Sequence, residues 1–386
     1  MEESKMITID SDFENGSLDR AIKLGENWYQ LVLRPDTWYW FHCRIKGCKN
    51  REIIFQVRSE GQVSVQDGMS TWAFPWSLRE RGYFAWVPRD FRPDANGFFY
   101  NRPVVSYDKM NWHKINNVER EPRLVSTFRF RHTFTEDEAY LCYNYPYTYT
   151  DLNTYLHTIK RHPYVKLESL GKTRNGNDQP VLTITKNTAN KKMVLILARE
   201  DSDEITGSYA AQGLINHLLD KQSGAILNKY TFKIVPMVSI EGVLAGASWS
   251  AGSGYIAARW HESPAPAEIE NVKRGIKTWV KHGYRIVFAG KIHGCWSFMP
   301  FRADIITANP RLRDVFVATR DKYWNPRPRD LQIRPKGYFE RYLLDEYGVN
   351  ACFATHANGN TPEDVKKCGR GLCKAMQKYL LTAPNQ

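Results

Sequence analysis

Acidic side chains cluster directly after an apolar segment of this chain that has the composition of a buried strand. Residues 193–197 read Met-Val-Leu-Ile-Leu, and residues 199–204 read Arg-Glu-Asp-Ser-Asp-Glu. Acids at the carboxyl end of a strand in an α/β domain lie where ligands and metals are held. Asp201 and Glu204 are three residues apart, so one turn can aim both carboxylates at the same point.

A histidine later in the chain can complete this site. His293 follows the apolar run 286–288, and with Asp201 and Glu204 it would form a three-ligand metal site that leaves a position for water. The alternative is that the acids only cap the following helix, which is the commoner reason for acids at such a place. The order of the surrounding elements decides between the two interpretations.

The elements that would position these residues change in kind near residue 150. Residues 1–149 contain short β-rich runs separated by Gly, Pro, Asn and Asp. The run 126–134 alternates and places Phe128, Phe130, His132 and Phe134 on one face, which predicts an all-β sandwich domain. Over residues 150–386 strands and helices alternate, which predicts an α/β domain whose mixed sheet is flanked by helices.

The periodicity of the second region predicts its individual elements. Strands are predicted near residues 164–169, 181–186, 193–198, 230–237, 284–289 and 349–354. Helices are predicted near residues 150–160, 206–220, 266–281, 308–321, 337–346 and 362–381.

The composition narrows the class of protein. A length of 386 residues allows two domains. No apolar run reaches the roughly 18 residues of a membrane span, so no membrane partner is expected. The first twelve residues are acidic and polar, which predicts a cytoplasmic protein from the sequence as given, or an exported one if a leader has been removed. The seven cysteines lack a Cys-x-x-Cys pair, so reduced thiols are expected.

The charge balance indicates the kind of partner. The chain carries 54 basic and 41 acidic residues, a net charge of +13. Such a balance favours an acidic partner, namely an acidic peptide tail or an anionic polysaccharide, unless it only reflects a soluble basic surface. Nucleic acid is not expected, because no compact Lys/Arg block occurs.

Three short sequence motifs in the first half of the chain indicate a resemblance to a known family, and this resemblance extends over nearly the whole chain. They are residues 34–37 (Arg-Pro-Asp-Thr), 102–108 (Arg-Pro-Val-Val-Ser-Tyr-Asp) and 146–150 (Pro-Tyr-Thr-Tyr-Thr). Together with the order of elements, they resemble the zinc metallocarboxypeptidase family, in its cytosolic carboxypeptidase branch. That resemblance implies a β-sandwich placed before an α/β catalytic domain.

The acidic cluster falls on the metal motif of that family. The family's strand ends in Ala-Arg-x-His-Pro-Gly-Glu, whose His and Glu bind zinc, and residues 198–204 here read Ala-Arg-Glu-Asp-Ser-Asp-Glu. Glu204 matches the Glu, Asp201 stands at the His position, and His293 in Lys-Ile-His-Gly matches the third ligand. The resemblance therefore implies Zn, and the additional carboxylate favours a harder divalent ion such as Mn or Mg.

Other functional positions of the family are altered here. By spacing, the Arg that polarises the scissile carbonyl falls on Trp249, and the Asn-Arg pair that grips the substrate's terminal carboxylate falls on Ala258 and Arg259. The general-base Glu falls on Thr355, or on His356 if the alignment slips by one residue. Of these positions, only Arg259 keeps the residue of the family.

Several residues are candidates to replace the missing groups. His356 is a candidate base, because imidazole titrates near neutral pH, and its alternative is an ordinary strand-end histidine. Tyr338 and Tyr342 precede the last strand, where the family has a mobile tyrosine, although packing on a helix is the commoner role of such residues. The candidates for substrate binding are Arg259, Arg302 (or a surface arginine), and an aromatic wall of Trp249 and Trp296.

Three functions are compatible with the sequence. The first is a metal-dependent hydrolase of metallocarboxypeptidase type with an altered active site and an anionic substrate. The second is a non-catalytic protein that binds acidic ligands, and the third is cleavage of an anionic polysaccharide on the same scaffold. A fold by itself does not decide among them.

Overall fold

The computed structural model describes residues 6–35, 37, 40–59, 102–120, 127–247, 256–294, 303–328 and 335–382. Contacts divide the chain into two compact units. The first comprises Met1–Pro146 with Leu244–Ser248, and the second comprises Tyr147–Val243 with Trp249–Gln386.

The first unit consists of β-strands in its described part. Its strands are β1 (Thr8–Asp10), β2 (Arg20–Gly25), β3 (Trp28–Leu33), β4 (His42–Lys46), β5 (Glu52–Ser59), β6 (Val104–Ser106), β7 (His113–Lys114), β8 (Val118–Arg120), β9 (Thr127–Thr133) and β10 (Glu138–Cys142). They form two five-stranded sheets, of order β1-β4-β10-β6-β7 and β2-β3-β5-β9-β8. Pairing is antiparallel except between β3 and β5, so the predicted all-β sandwich is confirmed.

Aromatic side chains fill the interior of this sandwich. Phe130 on β9 stacks on Phe55 of β5, with ring centroids 5.0 Å apart, and on Phe41 at 6.2 Å. Phe130 and Phe134 are buried and His132 is half-buried, as the alternation of residues 126–134 predicts, whereas the side chain of Phe128 lies outside the described part.

The second unit alternates helices and strands. Its helices are α1 (Tyr149–Ile159), α2 (Ile205–Leu219), α3 (Gly224–Lys229), α4 (Ile240–Leu244), α5 (Ala267–Lys281), α6 (Pro310–Ala318), α7 (Phe339–Tyr347) and α8 (Pro362–Leu381). Its strands are β11 (Val165–Lys172), β12 (Asp178–Ile184), β13 (Lys192–Ala198), β14 (Thr231–Val235), β15 (Arg285–His293), β16 (Ala303–Ile306), β17 (Pro326–Pro328) and β18 (Cys352–His356). They form one mixed sheet of order β11-β12-β14-β13-β15-β18-β16-β17, which confirms the predicted α/β class.

The centre of this sheet is parallel and buried. Strands β14, β13, β15 and β18 run parallel to one another. Met193–Ala198 on β13 is 0% exposed throughout, which explains why this strand reads as an uninterrupted apolar run. Because the strands are parallel, their carboxyl ends meet at one edge of the sheet, and the acidic cluster follows β13 there.

Two strands of the second unit, β16 and β17, were not predicted from the sequence. β16 has four residues, and β17 reads Pro-Arg-Pro, which lacks the alternation of a strand. β17 is the outermost strand of the sheet, where proline is tolerated because its missing N–H is not needed for a ladder on both sides.

The described cysteines are free and buried, in agreement with the expected reduced thiols. Burial raises the pKa of Cys48 to about 12, so this thiol is unreactive at neutral pH. Within the described part of the chain, no helix has both the length and the apolar character that a membrane span requires.

Candidate metal centre

A sharp turn at Arg199 directs the acidic cluster away from the end of β13. Arg199 has φ 54°, a left-handed conformation that costs a non-glycine residue about 1 kcal/mol. Its buried guanidinium offsets this cost by donating to the carbonyl oxygen of Ser202 (2.8 and 2.6 Å) and to Oγ of Ser208 (3.1 Å). The hydrogen bonds of this buried guanidinium thus stabilise the loop 199–204. The loop ends at Glu204, which directly precedes α2.

Two carboxylates converge on one imidazole nitrogen at this edge. Nδ1 of His293 lies 2.8 Å from Oε2 of Glu204 and 3.4 Å from Oδ2 of Asp201. The same oxygen of Glu204 accepts the backbone N–H of Gly294 at 3.1 Å. The structure therefore brings together the three residues that the sequence suggests as metal ligands.

His356 joins this group from the neighbouring strand. It lies in register with His293 across the β15–β18 pairing, and the two rings stack with centroids 5.2 Å apart. The ligand atoms of Glu204, His293 and His356 all lie within 4.8 Å of one another. We call Asp201, Glu204, His293 and His356 the candidate centre.

The donor set of the candidate centre suits a divalent ion. Imidazole nitrogen and carboxylate oxygen both bind Zn²⁺ at roughly 2.0–2.2 Å, so donors that lie a few ångströms apart are close enough to share one ion. His293 and Asp201 are almost fully shielded, at 2% and 5% exposure, and Glu204 and His356 are each 15% exposed. Charges that converge in such a place are costly unless they are paired or coordinate a metal.

The register of β18 against β15 decides which residue of β18 lies at the candidate centre. Thr355 pairs with Ile292 and is 0% exposed, whereas His356 pairs with His293 and faces the candidate centre. Successive side chains of a strand point to opposite faces, so the two residues cannot both contribute. Behind His356, Oδ2 of Asp304 on β16 lies 3.6 Å from its Nδ1.

A buried ion pair that the sequence analysis missed supports the candidate centre. Lys291, two residues before His293, places Nζ 2.5 Å from Oε2 of Glu200, and both side chains are at most 1% exposed. The indole N–H of Trp260 donates to the other oxygen of Glu200. Burial raises the pKa of Glu200, while Lys291 acts to lower it. In the sequence, the signal for this ion pair is a single lysine within the otherwise apolar run 286–292.

Arg259 lines a cavity of about 360 Å³ in the same unit. Its guanidinium pairs with Glu262 at 2.6 Å, and its side chain is 33% exposed. Arg174 also lines the cavity. The remaining lining residues are Glu241, Pro264, Ala265, Pro266, Ala267 and Glu268.

The acidic residues that line this cavity already accept hydrogen bonds from other groups of the protein. Glu241 accepts hydrogen bonds from Thr173, Asn175 and Asn177. Burial acts to raise its pKa, but these hydrogen bonds outweigh burial and hold the pKa below its ordinary value. For Glu268, burial dominates and raises the pKa.

The remaining candidates differ in how far the structure describes them. Tyr338 precedes α7, and its ring lies 5.4 Å from Nζ of Lys291, so it is close to the buried ion pair. Trp249, Trp296 and Arg302 lie outside the described residues.

Part of the α/β unit matches a known protein family. Residues 152–262 match the family model described as zinc carboxypeptidase. The chain is similar to cytosolic carboxypeptidase 3 of Bos taurus (29% identity over 262 residues, 62% of this chain and 24% of that protein). It is also similar to cytosolic carboxypeptidase 2 of Homo sapiens (25% identity, 63% of this chain and 28% of that protein). The chain thus spans about a quarter of the length of these curated relatives.

Solved structures of low sequence identity share the architecture of this chain. The metallo-carboxypeptidase from Burkholderia cenocepacia superposes with a TM-score of 0.74 at 17% identity, covering 98% of this chain and 100% of that one. The metallo-carboxypeptidase from Pseudomonas aeruginosa superposes with a TM-score of 0.71 at 17% identity, covering 97% and 99%. At these identities the likeness shows the architecture.

Proposed function

Because residues 152–262 match the zinc carboxypeptidase family model, we propose that this chain is a metal-dependent hydrolase of metallocarboxypeptidase type. Its active site is altered, and its substrate is anionic. The observation that carries the proposal is the convergence of Asp201 and Glu204 on Nδ1 of the buried His293. The names of the relatives favour a cytoplasmic location.

We assign Asp201, Glu204 and His293 as the residues that hold the divalent ion. When bound, such an ion supplies a Lewis acid and lowers the pKa of a water molecule. Gly294 keeps Glu204 in place through its backbone N–H, and the Glu200–Lys291 pair fixes the loop and the strand that carry the other two residues. These contacts restrict the motion of the ligand side chains and so keep the distances within the site fixed.

His356 is the proposed general base. Its ring is stacked on that of His293, so its imidazole lies beside the proposed ligands, where it would serve as a proton acceptor. Oδ2 of Asp304 lies 3.6 Å from Nδ1 of His356, on the neighbouring strand β16. Tyr338 is proposed as an additional hydroxyl donor at the site.

Arg259 is proposed to bind the anionic group of the substrate. It faces a cavity together with Arg174, while Glu241 in the same cavity is occupied by hydrogen bonds from neighbouring side chains. An acidic peptide end is therefore the favoured substrate, with an anionic polysaccharide as the alternative. Arg302, Trp249 and Trp296 remain proposed substrate contacts.

Metal analysis and a cleavage assay test this function together. The protein would be equilibrated with Zn²⁺ and its metal content measured for the wild type, His293→Ala and the control His157→Ala, an exposed histidine on α1. We expect loss of bound metal and of peptide cleavage in His293→Ala only. Unchanged metal content in that variant would refute the assignment.

The same assay separates the proposed third ligand from the base. Asp201→Ala should lose metal, whereas His356→Ala should keep metal and lose cleavage on the order of 10²-fold or more. The reverse pattern would show that His356 is a ligand and that Asp201 is not.

A binding function without catalysis is the second candidate. It is favoured by Ala258 in place of the family's asparagine and by Thr355, which stands at the position of the base but is fully buried. A screen of peptides with acidic and with neutral carboxyl-terminal residues decides the matter. Absence of product from every peptide, together with tight binding of an acidic one, would establish the binding function instead.

A further inference from the structure

Four aromatic rings of the first unit form a continuous series beside the ammonium of Lys109. From one ring to the next the centroids lie 5.5, 4.9 and 5.5 Å apart, in the order Trp112, His42, Phe13 and Tyr140. We call these four residues the aromatic box. The sheet β1-β4-β10-β6-β7 brings them together, because His42 begins β4, Tyr140 lies on the adjacent β10, and Trp112 directly precedes β7.

Lys109 places its ammonium against two rings of the aromatic box. Its Nζ lies 4.5 Å from the ring centroid of Tyr140 and 5.1 Å from that of Phe13, which is within the range of an attractive cation–π contact. Among the residues that the structure describes, none accepts a hydrogen bond from this ammonium or forms an ion pair with it. The rings therefore attract the ammonium, which shows that the aromatic box suits an alkylammonium group.

The turn that carries Lys109 is stabilised without its ammonium. Lys109 has φ 62°, a left-handed conformation that favours glycine. Oδ1 of Asp108 accepts the backbone N–H groups of Met110 (2.8 Å) and Asn111 (2.7 Å), and the indole N–H of Trp112 donates to the carbonyl oxygen of Lys109 (3.0 Å). Because Lys109 is also exposed, its ammonium can leave the rings while the turn stays in place.

The charge around the aromatic box favours a cation. Residues 7–19, which include Phe13, contain four acidic residues and no Lys or Arg, although the whole chain carries a net charge of +13. Asp12, the neighbour of Phe13, is exposed. A positively charged ligand is therefore attracted to this part of the surface.

His42 offers this ligand a hydrogen-bond acceptor. Its Nδ1 lies 3.2 Å from Oδ1 of Asn15, an acceptor, so Nδ1 carries the proton and Nε2 is left with a lone pair. Nε2 is buried and has no hydrogen-bond partner among the described residues, and such a buried polar atom is unfavourable until a donor reaches it. Burial, and then the charge of Lys109, lower the pKa of His42 to about 3, so its imidazole is uncharged at neutral pH and does not repel a cation.

We propose that the aromatic box binds an organic ammonium ion, and that Lys109 is a built-in competitor that occupies the box in the free protein. A ligand with a primary ammonium group replaces Lys109 on the rings of Phe13 and Tyr140, and its N–H groups are donors for Nε2 of His42. A diamine suits this place best, because its second ammonium is attracted by the acidic residues of the segment 7–19. The aromatic box belongs to the first unit and the candidate centre to the second, so this binding requires neither metal nor catalysis.

Calorimetric titration with cadaverine, the diamine that corresponds to lysine without its carboxyl group, tests the proposal. The test variant is Lys109→Gly, which removes the competitor and suits the left-handed backbone. Its matched control is Asn50→Gly, at an exposed turn residue with φ 58°. We expect the wild type to bind cadaverine, Lys109→Gly to bind it at least about fivefold more tightly because two cation–π contacts no longer compete, and Asn50→Gly to match the wild type.

Three results of this titration would overturn the proposal. Lack of binding to the wild type would mean that Lys109 is a permanent part of the box. Equal affinities of the wild type and Lys109→Gly would mean that Lys109 does not compete. An equal gain in Asn50→Gly would mean that the gain has another cause.

Ring variants and a neutral ligand locate the binding. In the Lys109→Gly background, Phe13→Leu should lose at least about fivefold in affinity for cadaverine. Trp112→Leu, which alters a half-buried ring, gives a second measure if thermal melts show that Phe13→Leu is unfolded. Unchanged affinity in the folded ring variants would refute the proposal. Pentanediol, the neutral counterpart of cadaverine, should not bind, and binding as tight as that of cadaverine would show that the box is only apolar.

One variant keeps this inference distinct from the proposed function. His293→Ala should bind cadaverine as tightly as the wild type, and a loss there would place the ligand at the candidate centre instead. If the wild type cleaves no peptide but Lys109→Gly alone gains affinity for cadaverine, the proposed function fails and this inference stands.

Discussion

At the scale of single residues, the buried pair of Glu200 and Lys291 lies next to two proposed metal ligands. Glu200 precedes Asp201, and Lys291 is two residues before His293 on β15. Both partners are removed from water, so each charge depends on the other for its compensation. The pair links the loop after β13 to β15, which are the two segments that carry the site.

Removing one partner of this pair should be strongly destabilising. We predict that Lys291→Met lowers the free energy of unfolding by about 3–5 kcal/mol, because it leaves the carboxylate of Glu200 buried without a cation. The control is Lys46→Met, whose partner Glu138 and whose own side chain are largely solvated. That variant should change stability by less than about 0.5 kcal/mol. Urea denaturation measures both, and similar losses in the two variants would contradict the prediction.

His42 at the start of β4 should make stability depend on pH. It lies beside Asn15 and the rings of Phe13 and Trp112. Burial, and then the positive charge of Lys109, lower its pKa from 6.5 to about 3. The unfolded chain therefore takes up a proton at this residue below about pH 6.5, whereas the folded chain does not.

The contribution of His42 is fully present above pH 6.5 and is lost as the pH falls toward 3, at up to about 1.4 kcal/mol per pH unit. We predict that His42→Gln flattens the decline of stability between pH 6 and pH 4. The exposed His157→Gln should leave the slope as it is. Urea denaturation at several pH values would contradict the prediction if the slopes of His42→Gln and the wild type agreed.

At the scale of elements, helices α2 and α8 approach each other through glycine. A Cβ atom at Gly213 would lie 1.9 Å from the carbonyl oxygen of Lys366, and one at Gly369 would lie 1.9 Å from that of Ala210. Only a residue without a side chain permits backbones to come this close. The contact matters for the site because α2 begins at Glu204.

Gly213→Ala should therefore destabilise the protein although alanine favours helices by about 1 kcal/mol over glycine. We predict a net loss of about 1–3 kcal/mol, since the added methyl group meets backbone that cannot move independently. Gly275→Ala on α5 is the comparison, because its Cβ would meet only side-chain atoms of Leu170 and Trp279. Thermal denaturation should rank Gly213→Ala below Gly275→Ala, and the opposite order would refute the explanation.

At the scale of the whole molecule, we propose that residues 1–149 and 150–386 are two domains. The first compact unit includes Leu244–Ser248 in addition to the amino-terminal residues. The backbone N–H of Asn15 donates to the carbonyl oxygen of Leu244 at 2.9 Å, and Arg34 donates to that of Ala245 at 2.6 Å. The amino-terminal strands thus depend in part on a segment from far along the chain.

A fragment of residues 1–149 should fold cooperatively but melt below the corresponding transition of the full chain. The reason is that the fragment lacks residues 244–248 and the hydrogen bonds that they accept, each worth about 1 kcal/mol. Calorimetry of the fragment and of the full chain measures the difference. A fragment without a cooperative transition would argue against an independent domain.

The amino-acid sequence by itself determined the class of each region and the order of most elements. Hydrophobic periodicity is a local property, so the strands around β13, β14 and β15 and the amphipathic helices could be predicted from short windows. The positions of Asp201, Glu204 and His293 after strand ends likewise implied their convergence, because parallel strands end at a common edge.

Only the tertiary structure decided which other side chains lie beside Asp201, Glu204 and His293. The choice between Thr355 and His356 depends on the register of β18 with β15, and a shift of one residue would reverse the two faces. The burial of Lys291 against Glu200 depends on the pairing of segments far apart in the chain. Such contacts follow from strand order and register, and neither property is contained in any local stretch of sequence.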